Sequence, residues 1–280
     1  MQFRLLWHQV SIDTTDASSE IDEALSYLTN DATHGFAPVT TMSYKVTRLK
    51  SLLPGPTTNS YSILEEGDPL ATVAEPGDVL DVIYRRSYQR CFELASLRGW
   101  VRLHAATIDL PAGRVLLSAP SGTGKTTLAC ALRLGGVAVP SDESVLVRDG
   151  ESIPVPRRFH VKVPAPVHLP ELNDIIEQSP QLRAQAVAAI DPRELGGAWS
   201  IDQRPVRAVV LLERADETRI EPLSAVAAMP MLIAECFRNQ EATERLFEAA
   251  TSIAQTATCH RLLVDDPRDA GALLTALLAG

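Results

Sequence analysis

Lysine is almost missing from this 280-residue sequence. Of 26 basic residues only Lys45, Lys50, Lys125 and Lys162 are lysine, and the other 22 are arginine. Positive charge as a whole is in deficit, because 35 Asp and Glu leave a formal net charge of −9. Such a chain is poorly suited to neutralising a nucleic-acid backbone, so nucleic acid is not an expected partner. Cysteine is sparse. Cys91, Cys130, Cys236 and Cys259 are widely scattered and form no C-x-x-C pair, which argues against a zinc site or a disulfide framework. A reducing, cytoplasmic setting is the expectation. Long hydrophobic runs are also lacking. The longest are short, such as 208–212, far below the roughly 18 apolar residues of a membrane span, so no membrane partner is expected. The opening MQFRLLWHQVSID has no signal-peptide layout, and neither repeats nor low-complexity tracts occur.

What is present divides at about residue 98. Residues 1–98 read as a small α+β region, with strands near Phe3 to Ile12 and Met42 to Leu49. Ser18 or Ser19 is placed to cap a short helix through Leu28. Asp78 is placed to open a longer helix, in which Leu80, Ile83, Tyr84, Tyr88, Cys91, Phe92 and Leu94 share one face before Gly99 stops it. From residue 99 to 280 strands and helices alternate. Strands are expected at Val101 to Leu110, Arg114 to Ser118, Val137 to Val139, Ala208 to Leu212 and His260 to Val264. Helices are expected at Thr127 to Leu134, Met231 to Asn239, Ala242 to Ala254 and Ala270 to Leu278. That alternation implies an α/β fold, a sheet covered by helices.

The strongest motif is Ala119-Pro120-Ser121-Gly122-Thr123-Gly124-Lys125-Thr126, followed by Thr127. It comes after an apolar strand and opens a helix, the setting a phosphate-binding P-loop requires. Gly122 and Gly124 let main-chain N–H groups turn inward around phosphate oxygens, and the helix start adds partial positive charge. Lys125 is suited to the β- and γ-phosphates and Thr126 to a Mg²⁺ shell. Ala119 stands where the usual motif has Gly.

A second element narrows the chemistry. Val137-Ala138-Val139-Pro140-Ser141 leads into Asp142 and Glu143, 17 and 18 residues after Lys125, on the same strand edge as the loop. Paired carboxylates there can hold Mg²⁺ and accept a proton from an attacking hydroxyl. His104, inside a strand-like run 21 residues before Lys125, is a third candidate.

Together, Leu103-His104-Ala105, the loop APSGTGKTTLACAL and Pro140-Ser141-Asp142-Glu143 resemble the catalytic core of HPr kinase/phosphorylase. The closer similarity is to the smaller HPr-kinase-like proteins, including those beside lasso-peptide biosynthetic genes. The resemblance covers roughly His104 to Lys162. It implies a P-loop kinase core of HPr-kinase type, a mixed sheet flanked by helices, using ATP and Mg²⁺. It implies transfer of the γ-phosphate to a Ser/Thr hydroxyl of a peptide or small protein, such as a ribosomal natural-product precursor. Asp142 takes the position of the base, Glu143 that of its acidic neighbour and His104 that of the site histidine, with Lys125 in the loop. Thr126, Asp142 and Glu143 take the metal positions. Proteins of that kind form assemblies, so a homo-oligomer is among the expectations.

Two differences count against HPr as substrate and against dephosphorylation. Gly-Lys-Thr-Thr stands where the bifunctional enzymes carry Gly-Lys-Ser-Glu, and the segment associated with the phosphorylase reaction has no clear copy. Near its place lies Pro156-Arg157-Arg158-Phe159-His160-Val161-Lys162, in which Arg157, Arg158 and Lys162 are candidates to steer or neutralise phosphate charge. Trp199 with Gly196-Gly197 is a candidate mobile loop near substrate. The alternatives are a small-molecule hydroxyl kinase and a non-catalytic nucleotide-binding switch. No Asn-Lys-x-Asp segment for guanine and no ABC signature occurs.

Overall fold

The structure is a computed structural model, described here for residues 1–17, 19–28, 32–49, 60–111, 113–182, 186–236 and 243–277. The candidate cap Ser18 and residues 237–239 of the helix expected at Met231 to Asn239 lie outside these. The chain forms two compact units, Met1–Leu94 and Ala95–Gly280.

The first unit contains β1 (Gln2–Leu5), β2 (His8–Asp16), α1 (Ser19–Leu25), β3 (Thr33–His34), β4 (Thr40–Leu49), β5 (Ser60–Glu65), β6 (Asp68–Val73) and most of α2 (Pro76–Leu97). Five of its strands make a sheet in the order β1-β2-β4-β5-β6, with β2 and β4 parallel and the other pairs antiparallel. Along β4, Met42, Tyr44 and Val46 are buried while Thr41, Ser43 and Lys45 are exposed, so one face is covered. The single strand expected over Phe3 to Ile12 is instead a hairpin that turns at Leu6-Trp7, with Leu6 at φ +50°. Both turn residues are apolar because they are buried, which hid the turn from a reading based on polar turn chemistry. Helix α2 begins at Pro76, so Asp78 sits in its first turn rather than capping it.

The second unit holds β7 (Val101–Leu110), β8 (Gly113–Ser118), α3 (Lys125–Leu134), β9 (Ala138–Ser141), β10 (Ser144–Arg148), β11 (Glu151–Pro154), β12 (Phe159–Lys162) and α4 (Leu172–Gln178). It continues through β13 (Gln181–Leu182), β14 (Val187–Ile190), β15 (Ser200–Ile201), β16 (Arg204–Arg214), β17 (Arg219–Leu223), α5 (Ala225–Ala234), α6 (Thr243–Thr256), β18 (Thr258–Val264) and α7 (Pro267–Leu277). Its main sheet is mixed and eight-stranded, in the order β11-β10-β7-β8-β16-β18-β17, with β9 also on β7. Strands β8, β16 and β18 run parallel, and β7 is antiparallel to β8. A smaller sheet has the order β12-β14-β13.

Both faces of the main sheet are buried. Ala106, Ile108, Val115, Leu117, Ala208 and Val210 pack on one side with residues of α3, α4 and α7. Leu103, Ala105, Leu116, Val209 and Leu211 pack on the other with residues of α5 and α6. A strand covered on both faces must be apolar at successive positions, which is why 208–212 reads as an unbroken run. Helix α5 starts six residues before the expected Met231. Ser224 caps it by accepting from the Ala227 N–H at 3.2 Å, and Pro230 sits inside it. That proline makes the sequence look broken, yet Val226 four residues back is on a solvent-exposed turn, where a missing main-chain bond is tolerated.

Buried arginines brace the unit. Arg114 is fully buried and forks onto Asp109, Nε to Oδ1 at 2.6 Å and Nη2 to Oδ2 at 2.9 Å, while its Nη1 donates to the Ser152 and Asp202 carbonyls. Arg133 on α3 donates to the carbonyls of Val139, Gly196, Gly197 and Ala198, and burial lowers its pKa. Trp199 is buried and its indole N–H donates to the Pro140 carbonyl at 2.8 Å. The expected mobile loop at Gly196-Gly197-Trp199 is therefore corrected to a segment held by Arg133 and by the indole.

Candidate active site

Strand β7 organises the site. Within four residues it pairs His104 with Ser144, Ala105 with Ser118 and Thr107 with Ser141. Ser118 is the last residue before the 119–126 loop, and Ser141 is the last before Asp142. One strand thus brings together a histidine, a glycine-rich loop and an acid pair that lie up to 39 residues apart in sequence.

Asp142 and Glu143 occupy a two-residue interruption between β9 and β10, both of which lie on the same edge of β7. Neighbouring hydroxyls take over the lost ladder bonds. The Ser141 N–H donates to Thr107 Oγ1 at 3.1 Å, Ser141 Oγ donates to the Ser144 carbonyl at 3.0 Å, and the Ser144 N–H donates to Ser141 Oγ at 3.3 Å. The interruption is thereby satisfied and kept in place, as buried polar groups must be.

The loop itself turns through Gly122 at φ +83° and Gly124 at φ +119°, with no atom within 4 Å of where a Cβ would stand on either. An L side chain is strained at those angles, and the open space is what a close approach to a ligand needs. Thr123 Oγ1 donates to the Pro120 carbonyl at 2.8 Å and tightens the turn. Helix α3 begins at Lys125, at the end of the loop.

Lys125 is buried, and its ammonium donates to the Ala119 carbonyl. Burial lowers its pKa, and the carboxylates of Glu235 and Asp142 oppose that shift. Thr126 Oγ1 donates to Asp142 Oδ2 at 2.8 Å, and only 1% of Asp142 is exposed. Arg157 lies 3.5 Å from Asp142 Oδ1 through Nη2 and pairs with Glu143 Oε2 through Nη1.

A cavity of about 520 Å³ is lined by His104, Ser121, Gly122, Gly124, Lys125, Thr126, Thr127, Asp142, Glu143, Arg157 and Lys162. Ala119 and Pro120 form the base of the loop outside that lining, and Thr123 lines the neighbouring cavity. Arg158 is not brought in. Its Nη1 donates instead to the Ala189 carbonyl of β14 at 3.5 Å.

Several residues in the lining or behind it escaped the sequence reading. Arg214, at the end of β16, donates to the carbonyls of Gly122 at 3.0 Å and Thr123 at 3.2 Å. A basic residue just past an apolar run, on a strand beside the loop strand, is the signal that marks it. His160 lines the cavity, and burial together with Arg157 pushes its pKa down to about 3. Glu235, at the end of α5, meets His104 Nδ1 through Oε2 at 2.9 Å and carries no local motif at all. A second cavity of about 480 Å³ shares Gly124, Thr127, Pro166 and Arg214 with the first and extends to Leu128, Leu212 and Val264.

No family model matches the sequence, and no curated protein matches it. Among solved structures the chain is similar to the Hpr(Ser) kinase/phosphatase from Coxiella burnetii, at 12% sequence identity and a TM-score of 0.35. The match covers 63% of this chain and 95% of that one.

The donor set suits a hard cation. Thr126, Asp142 and Glu143 offer oxygen ligands only, as Mg²⁺ prefers, and among the described residues no cluster of three His, Cys, Asp or Glu could enclose a metal. Mg²⁺ is typically held by one or two carboxylates with the remaining positions left to water and substrate phosphates. No helix among the described residues is long and apolar enough to cross a membrane.

Proposed function

We infer that this chain is a phosphotransferase that moves the γ-phosphate of ATP to a hydroxyl. The acceptor is a Ser or Thr of a peptide or small protein, as in the HPr-kinase-like proteins the sequence resembles. The observation that carries the reading is Asp142, buried to 1% exposure and hydrogen-bonded to Thr126 of the glycine-rich loop. A buried carboxylate must be paired, and its partners here, the loop's own Thr126 and the cavity-lining Arg157, hold it beside the loop.

The residues divide the work. The N–H groups around Gly122 and Gly124 and the start of α3 cradle the phosphates, and Lys125 supplies a compact charge at the β- and γ-positions. Thr126, Asp142 and Glu143 would hold Mg²⁺, which when bound neutralises charge on the transferring group. The acceptor hydroxyl oxygen forms the new bond to the γ-phosphorus as the bridging bond to the β-phosphate breaks. ADP leaves, and the hydroxyl proton passes to Asp142. Arg157 and Lys162 offset the charge on the equatorial oxygens. The adjoining cavity supports the reading by offering apolar Leu128, Leu212 and Val264 for a base next to the phosphate cavity.

The test is transfer from γ-labelled ATP with Mg²⁺ to panels of Ser/Thr peptides and of small alcohols, read by mass spectrometry. Wild type is expected to add one phosphate to a peptide. Asp142→Asn is expected to lose about a hundredfold or more in rate while nucleotide binding persists. Full activity in that variant overturns the role of Asp142. Transfer only to small alcohols, or nucleotide binding with no transfer at all, overturns the peptide acceptor or the enzyme reading respectively.

A further inference from the structure

Glu235 and His104 come from elements far apart in sequence, yet they are joined twice. The His104 main-chain N–H donates to the Glu235 carbonyl at 2.9 Å, and the His104 Nδ1 meets Glu235 Oε2 at 2.9 Å. An isolated bridge between Leu103 and Cys236 extends the contact. Both side chains are largely shielded, at 21% and 16% exposure. The end of α5 is thus pinned against the strand that organises the site, and the carboxylate is aimed at one particular ring nitrogen.

We propose that Glu235 is a positioning residue that holds His104 in the Nδ1–H form, so that the ring presents Nε2 to the cavity as an acceptor. A carboxylate can only accept, so the nitrogen it meets is the one that carries the proton. Burial and the Lys125 ammonium, with a smaller contribution from Arg102, favour the uncharged ring, while Glu235 pulls the other way. An uncharged Nδ1–H imidazole offers a lone pair at Nε2. That lone pair repels a phosphate oxygen and accepts from the hydroxyl as it docks, before its proton passes to Asp142. His104 therefore belongs to the acceptor side of the cavity, and Lys125, Arg157 and Lys162 belong to the phosphate side.

The first experiment does not depend on activity. In ¹⁵N-labelled protein without nucleotide, the His104 ring is expected to show a protonated Nδ1 and an unprotonated Nε2. Glu235→Ala is expected to shift it toward the Nε2–H form. Glu235→Gln, whose amide oxygen still accepts, is expected to keep the wild-type form. The main-chain tether survives in both variants, and circular dichroism checks the fold. A wild-type ring protonated at Nε2, or a ring unchanged in Glu235→Ala, overturns the proposal.

A second readout rests on the phosphotransfer reading and uses water as the acceptor hydroxyl. Basal ATP hydrolysis by Glu235→Ala is expected to fall about ten- to a hundredfold in kcat with little change in KM for ATP, with Glu235→Gln largely restored. A loss confined to KM, or no rescue by Gln, overturns the proposal. Absence of hydrolysis and transfer in wild type would instead overturn the phosphotransferase reading, leaving the ring measurement to decide the role of Glu235.

Discussion

Arg157 Nη2 lies 3.5 Å from Asp142 Oδ1, on the opposite side of the carboxylate from the Thr126 hydroxyl. Its other terminal nitrogen pairs with Glu143, so one guanidinium spans both acids of the site. Two adjacent carboxylates repel, and a cation between them relieves that repulsion. On the proposed reading a divalent ion takes the same place, so Arg157 and metal would compete for the same oxygens.

Removing the competitor should tighten binding of metal alone. Arg157→Gln is expected to raise Mn²⁺ affinity about tenfold without nucleotide, the scale of one charge-assisted hydrogen bond. Its phosphotransfer is expected to fall, because the proposed function assigns the same charge to the γ-phosphate. Titration followed by electron paramagnetic resonance measures the first effect. An unchanged or weaker metal affinity would show that Arg157 shapes the acid pair rather than competing for it.

Lys125 tests whether the scarcity of lysine has meaning at this position. Lys125→Arg keeps the charge but must fit a planar fork where a buried ammonium meets the Ala119 carbonyl. Nucleotide affinity by calorimetry is expected to drop about ten- to a hundredfold. Binding at wild-type strength would mean that charge alone suffices there.

His160 gives a pH signature. Its folded pKa of about 3 lies below the ordinary imidazole value of 6.5, so between those values the unfolded chain holds the extra proton. Stability therefore rises with pH across that window and is lost as pH falls from about 6.5 toward 3. The contribution of this one proton to the slope is about 1.4 kcal/mol per pH unit. Denaturant titrations of His160→Gln are expected to show a shallower acid decline than wild type. Parallel curves would remove His160 from the acid response.

Trp199→Phe removes the indole donor and leaves the Pro140 carbonyl unsatisfied two residues before Asp142. A loss of about 1–3 kcal/mol is expected in thermal or denaturant unfolding. Nucleotide affinity is expected to stay near wild type, because the indole is outside the cavity lining.

The legible parts of the sequence were those with local signals. Gly122, Gly124 and Lys125 announce a loop by spacing alone, and β7 matches its expected bounds because its ends are marked by Gly99 and Pro111. Asp142 and Glu143 could be placed at a strand end, but not in the interruption between β9 and β10, because β10 becomes visible only through its pairing with β7. Arg157 and Arg158 are indistinguishable as neighbours in sequence. In the fold one meets the acids and the other the Ala189 carbonyl, a difference set by contacts with segments distant in sequence. Glu235 was out of reach altogether. Its partner lies 131 residues away, and contacts made across a sheet leave no periodicity to read.

The break that carries Asp142 and Glu143 also separates the residues that pair the sheet from the two acids. Pairing on either side is maintained by Ser141, Thr107 and Ser144, whereas the two acids make no main-chain ladder bond to β7. The ladder therefore does not depend on which side chains stand at these two positions, and what does depend on them is the pairing with Thr126 and Arg157.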